Sequence, residues 1–303
     1  MIIDIHTHTF PDKIAAQAIE KLSHASHTVP FTDGTSKGLL IAAQSEGIDL
    51  SVILPVASSP RQVSHINEAS AALNSIYKGR GLFSIGCMHP DYEDYRQELK
   101  KIRDLGLKGI KIHPVYQDRD LDDIRYLRIF DAAASLGLFV ITHAGLDIGY
   151  EGVKRCTPSM CRYVSQKIDG LTLILAHMGG WLNWDEVPEK LADTSVLLDT
   201  SFSTGKAYPA DDHWAHGFSL LESEGLWKND VKMLSQDQFM KLYNAFGCER
   251  ILFGTDSPWS RQSEVLGFLR ALPIPSNALH KILGGNAEAL LFGHDLPKSH
   301  IPD

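Results

Sequence analysis

An α/β barrel, in which eight parallel strands alternate with helices, is the fold class this sequence predicts. Three observations carry that expectation. Eight short apolar runs of strand length recur along the 303 residues. Segments with apolar residues at helical spacing lie between them, which calls for parallel strands joined by crossover helices. Histidines stand at the ends of the first, fourth, fifth and sixth runs, and an aspartate ends the eighth. These residues are remote in sequence, and a barrel brings the carboxyl ends of all its strands to one mouth.

The predicted strands, in order, are Ile2–Ile5, Ser51–Pro55, Leu82–Cys87, Gly109–His113, Leu138–Thr142, Leu171–Ala176, Val196–Asp199 and Arg250–Gly254. Helical patterns cover Lys13–Leu22, Gln62–Tyr77, Tyr92–Leu105, Ile124–Leu136 and Gln236–Phe246. Gly106 and Gly137 sit where a helix must stop before the next strand. A last helix around Asn277–Leu291 packs outside, and a polar tail begins at Gly293. The count of β/α units fits a TIM (β/α)8 barrel, distorted by an insertion after strand 7, better than an open doubly wound sheet. That insertion, Ser203 to Leu234, is about 32 residues against the 2–6 typical of such a connection. Its Trp214 and Trp227 offer apolar surface and its Gly205, Gly217 and Gly225 offer bends, so it reads as a lid over the mouth. No domain boundary is visible, and the expectation is one domain over residues 1–303.

Bulk properties exclude several function classes. The chain is 44% hydrophobic with a net charge of −8, which disfavours nucleic-acid binding and suits a soluble cytoplasmic enzyme. It has no apolar run long enough for a membrane span and no signal-peptide pattern at its start. Cys87, Cys156, Cys161 and Cys248 are few and irregularly spaced, and read as reduced thiols without a role in metal binding.

The chemistry begins in Asp4-Ile5-His6-Thr7-His8. Strand alternation points His6 and His8 the same way, and paired imidazoles suit a divalent transition metal. Asp4 shares their face but lies deeper, as a support from below. Lys111 and His113 form a second alternating pair near the end of the fourth strand.

Six segments in order resemble the amidohydrolase superfamily, and in particular its second family, the group of aminocarboxymuconate-semialdehyde decarboxylase. They are Asp4-Ile5-His6-Thr7-His8, Gly109-Ile110-Lys111-Ile112-His113-Pro114, Ile141-Thr142-His143-Ala144-Gly145, Ala176-His177-Met178-Gly179-Gly180, Phe253-Gly254-Thr255-Asp256-Ser257-Pro258 and Gly285-Asn286-Ala287-Glu288. The resemblance implies that His6, His8, His143 and Asp256 ligate one divalent metal, zinc first and manganese as the alternative. It further implies that Asp256 takes the proton of an activated water, and that His177 is a catalytic histidine beside the metal. In binuclear branches of the superfamily a lysine ending strand 4 is carboxylated and bridges two metals. Lys111 stands two residues before the apparent strand end, which sets it apart from that pattern.

Substrate contacts are expected from His113, Lys111, Arg61 and Trp259, with Lys206, His213, Trp214 and His216 as weaker candidates. The leading expectation is hydrolysis of a C–N, C–O or lactone bond in a small molecule. The alternative is a non-oxidative decarboxylase or hydratase acting on a small aromatic or unsaturated acid through the same metal site. A decarboxylase needs cations at its mouth, and Arg61 is the single arginine this reading finds near a strand end. A barrel that binds a ligand without turnover is the competing non-enzymatic reading, and a homodimer is the assembly left open.

Overall fold

The structure, a computed structural model, describes residues 1–150, 152–208, 210 and 233–293. All of its strand pairings are parallel. A three-stranded sheet joins β1 (Ile3–Thr7), β2 (Leu50–Ile53) and β3 (Leu82–Ser84). A six-stranded sheet follows in the order β4 (Gly86–Cys87), β5 (Gly109–Ile112), β6 (Phe139–Thr142), β7 (Leu173–Leu175), β8 (Leu197–Asp199) and β9 (Ile251–Leu252).

The third predicted strand is therefore two, separated at Ile85, whose N–H still reaches Ile53 O at 3.2 Å. The other seam lies between β9 and β1. There Ile5 N donates to Phe253 O and Asp256 N to His6 O, at 2.9 and 2.8 Å. The ladder is thus not a continuous closed ring. Strands, helices and their order are nevertheless those of a TIM barrel with eight β/α units.

Local sequence explains the boundaries. Asp123, Thr157 and Ser235 cap the helices Ile124–Ser135, Pro158–Lys167 and Gln236–Phe246, each accepting from an N–H of the first turn. Gly106 and Gly137 take positive φ of 78° and 69° just past their helices, as expected of αL stops. The first helix is longer than its periodicity suggested, Asp12–Ser26, and a further one at Ser36–Ser45 was not anticipated. The last predicted helix is interrupted by a π turn at Lys281–Gly285 between Ser276–His280 and Asn286–Phe292.

Ile3, Ile5, Val52, Phe139, Ile141, Ile174 and Leu252 form one apolar cluster with Ala287 and Leu291. Strands that are not neighbours contribute to it, so it fills the space the strands enclose. A larger cluster lies between the strands and the surrounding helices. Burying each such side chain contributes about 1.5–3 kcal/mol. No helix among the described residues is long and apolar enough to cross a membrane.

The insertion after β8 leaves and returns at one point, since Leu234 N donates to Ser203 O at 2.8 Å. Residues 211–232 lie outside the described residues. With them go His213, Trp214, His216, Trp227, Gly217, Gly225 and the expected lid. The polar tail after Gly293 does likewise.

Candidate metal centre and active site

His6 is 1% exposed in β1, and His8 follows just past its end. Each ring is tied to the protein through Nδ1. His6 Nδ1–H donates to Asp199 Oδ2 at 2.8 Å, and His8 Nδ1–H to Leu54 O at 2.9 Å. A neutral imidazole has one proton, so both Nε2 atoms are left with lone pairs. Those atoms stand 3.2 Å apart, and Asp256 Oδ1 lies 3.3 and 3.1 Å from them. Lys111 Nζ, 3.2 Å from His6 Nε2, is the donor beside them. Three lone-pair acceptors within 4.8 Å of one another suit a divalent cation.

Electrostatics agree with that reading. Burial holds the His6 imidazole down at about 4, with Lys111 adding to the effect. Asp256 is pushed up by burial, yet the surrounding imidazoles hold it well below the usual carboxylate range. Burial lowers Lys111 to about 8. A charged amine of this kind is tolerated because Asp199 and Asp256 face it.

Asp4 lies beneath the triad, fully buried. Its Oδ1 accepts from His6 N and Thr255 N at 3.2 and 3.0 Å, and its Oδ2 from the Thr255 hydroxyl. The support from below that the alternation implied is therefore an anchor between β1 and the Asp256 segment. Asp256 itself adopts φ 63°, followed by a cis Ser257–Pro258 bond.

His143 and His177 meet in a second arrangement. His177 Nδ1 faces Ser201 O at 2.9 Å and His143 Nε2 faces Leu146 O at 3.0 Å, so these nitrogens carry the protons. The remaining His177 Nε2 and His143 Nδ1 point at each other across 3.0 Å. Two facing lone pairs repel unless a proton or another cation sits between them. His143 Nδ1 is thus paired with His177 Nε2, while His6, His8 and Asp256 form a close group of their own. Burial lowers the pKa of both rings.

The turn that carries His143 is tightly packed. Gly145 has φ 89°, and a Cβ there would stand 2.1 Å from Trp181 N. Gly145→Ala is expected to cost about 2 kcal/mol or more, read as a lower midpoint in urea unfolding. An unchanged midpoint would mean that this approach is looser than described.

His113 is enclosed on every side. Tyr116 stacks on it at 3.7 Å and His143 at 4.4 Å. Its Nε2 stands 3.4 Å from Asp147 Oδ2, and its Nδ1 accepts from Tyr116 N at 3.4 Å. His113, His143 and Asp147 form a second close group of potential ligands, but the His143 nitrogen that faces Asp147 already donates to a carbonyl. Among the other expected contacts, Lys111 lies inside the site, while Trp259 is half-buried and donates its N–H to Asp256 O at 2.8 Å. Arg61, on the turn Pro60–Gln62, and Lys206 are exposed.

Asp199, which ends β8, was not anticipated. It is fully buried, and both oxygens accept: Oδ2 from His6 Nδ1, and Oδ1 from Ser201 N and His177 N at 3.0 and 3.2 Å and from the Ser201 hydroxyl. One carboxylate therefore orients His6 and anchors the turn that presents His177. The cue was present in Leu197-Leu198-Asp199, an apolar run ending in an acid, as Ile251 to Asp256 does. An amide cannot accept at both ends. Asp199→Asn is therefore expected to weaken metal binding by about 10–100-fold, measured by calorimetric titration of metal into the metal-free protein. Unchanged affinity would make Asp199 a purely structural acid.

Comparison with curated proteins finds no match. Among solved structures, an uncharacterized TIM-barrel protein from Bordetella bronchiseptica shares 19% identity over 96% of this chain and 98% of its own, with a TM-score of 0.69. A 5-carboxyvanillate decarboxylase from Novosphingobium aromaticivorans, complexed with manganese and 4-hydroxy-3-methoxy-5-nitrobenzoic acid, shares 15% over 96% of each chain at 0.67. A Pseudomonas putida protein, provisionally assigned as a 2-pyrone-4,6-dicarboxylic acid hydrolase, shares 18% over 96% and 97% at 0.59. Identities this low show a common fold. A family model described as amidohydrolase matches residues 3–293, and this chain belongs to that family.

Proposed function

We propose that this protein is a divalent-metal-dependent hydrolase acting on a C–N, C–O or lactone bond of a small molecule. The observation that carries the reading is the convergence of His6 Nε2, His8 Nε2 and Asp256 Oδ1 within 3.1–3.3 Å, with the ring protons held on the far side. These three residues would hold the ion, and the family resemblance adds His143 to them. Zinc is the first choice for such nitrogen and oxygen donors, and the manganese of the decarboxylase relative is the alternative. When bound, a divalent ion supplies Lewis acidity and brings the pKa of water in the site towards neutrality.

The chain's own groups supply the remaining chemistry. Asp256, ionised and partly reachable from the mouth, accepts a proton from the attacking water and returns it to the leaving group. His177 offers Nε2, its Nδ1 proton being held by Ser201 O, and is placed to polarise the bond under attack or to relay a proton. Asp199 keeps both histidines in register. Lys111 sets a positive charge against the carboxylates at the base of the site.

Decarboxylation is the second reading, favoured by fold relatives that carry it out. Both are tested by incubating the metal-loaded enzyme with lactones, amides and aromatic acids while following CO₂. Product formation without CO₂ is the expected result. CO₂ released in step with substrate loss would replace hydrolysis by decarboxylation.

A further inference from the structure

Two of the four cysteines lie against each other behind the turn that carries His143. The Sγ atoms of Cys156 and Cys161 are 3.6 Å apart, and both side chains are fully buried. Cys156 stands in the connection that leaves β6, and Cys161 in the first turn of the helix Pro158–Lys167. Thr157, between them, caps that helix, and its carbonyl accepts from Cys161 N at 3.0 Å.

Short links tie the pair to the site. Cys156 O accepts from Gly145 N at 2.8 Å. Cys156 Sγ is 3.9 Å from Thr142 Oγ1, whose hydroxyl donates to His143 O at 2.9 Å. On the opposite side of the turn, Trp181 N donates to Ala144 O at 2.9 Å, and a Cβ on Gly145 would meet the Trp181 backbone. The turn has no slack in that direction, so a shift of Cys156 is passed to residues 142–145. A disulfide needs its sulfurs at about 2.05 Å, and these must move together from 3.6 Å to form one.

The pair rests in its reduced form. Cys156 beside it and burial push the Cys161 thiol well above the usual thiol range, which suppresses the reactive thiolate. Just ahead of Cys156, however, Gly152 and Lys154 are exposed. Local opening of such an outer stretch is the ordinary route by which a reagent reaches a buried group.

We propose that Cys156 and Cys161 are an oxidative modification site, which a peroxide closes to a disulfide that strains the His143 turn and weakens the metal centre. One thiolate attacks a peroxide oxygen, the O–O bond breaks, and the sulfur becomes a sulfenic acid while hydroxide takes up a proton to leave as water. The second thiol then displaces the sulfenic oxygen. The S–S bond forms, the S–O bond breaks and a second water leaves. The two thiols lose two electrons and the peroxide gains them. The modification stands on the pair itself, and its consequence for the metal rests on the place of His143 in the proposed site.

The test treats the zinc-loaded protein with hydrogen peroxide, then unfolds and alkylates it for thiol counting and peptide mapping. The count should fall from four by the two of a 156–161 link, and dithiothreitol should restore it. Zinc affinity, read by competition with a chelator, should fall about tenfold or more and recover on reduction. Cys161→Ala should keep its zinc affinity after peroxide, whereas Cys248→Ala should still lose it. Four surviving thiols would overturn the proposal, and so would oxidation confined to Cys248. A 156–161 disulfide that leaves zinc affinity unchanged would sever the pair from the site and defeat the proposed switch. Neither readout uses turnover, so both can succeed or fail apart from the hydrolase reading.

Discussion

Exchanging His177 for asparagine is expected to lower turnover by about 10²–10⁴-fold, the range for losing a general acid or base, while metal content stays at the wild-type level. The position tolerates the change. His177 has φ 59°, a conformation in which asparagine is among the least strained residues. The Trp184 indole, which donates to the His177 carbonyl at 2.9 Å, keeps its partner whatever the side chain. What disappears is the Nε2 lone pair, whose proton has been moved to the Ser201 side of the ring. Metal analysis beside steady-state rates decides the outcome. Loss of metal together with activity would make His177 a ligand, and the pairing of His143 Nδ1 with His177 Nε2 at 3.0 Å would then describe two ligands of a common ion.

Asp256→Asn is expected to have the larger effect, with metal falling well below one ion per chain and turnover to background. Asp256 supplies the one carboxylate among the three converging acceptors, and the amide replaces a charge that His6, His8 and Lys111 all face. Its φ of 63° is again compatible with asparagine, so unfolding should not obscure the result. Elemental analysis after purification reads the metal, and circular dichroism checks the fold. A variant that keeps a full complement of metal would move the ion to another group of ligands. His113, His143 and Asp147 are the nearest alternative.

The alternation of Asp4, Ile5, His6, Thr7 and His8 already specified that two imidazoles leave one strand together, because side-chain direction along a strand is a local property of the backbone. Strand order, the helix stops at Gly106 and Gly137, and the capping by Asp123, Thr157 and Ser235 were likewise written in short stretches of chain. Which nitrogen of each histidine carries its proton was not. That choice depends on Asp199, Leu54, Ser201 and Leu146, and Asp199 stands 193 residues from His6. Sequence spacing put His113 at the mouth as a substrate contact. Packing enclosed it between Tyr116 and His143, a relation set by two different connections of the barrel, those after β5 and β6. Nothing in the sequence singled out Arg261, and only the fold brings Phe31 and Tyr208 beneath it from two other segments. Local chemistry decides what a residue can do, and the tertiary fold decides which of its atoms remain free to do it.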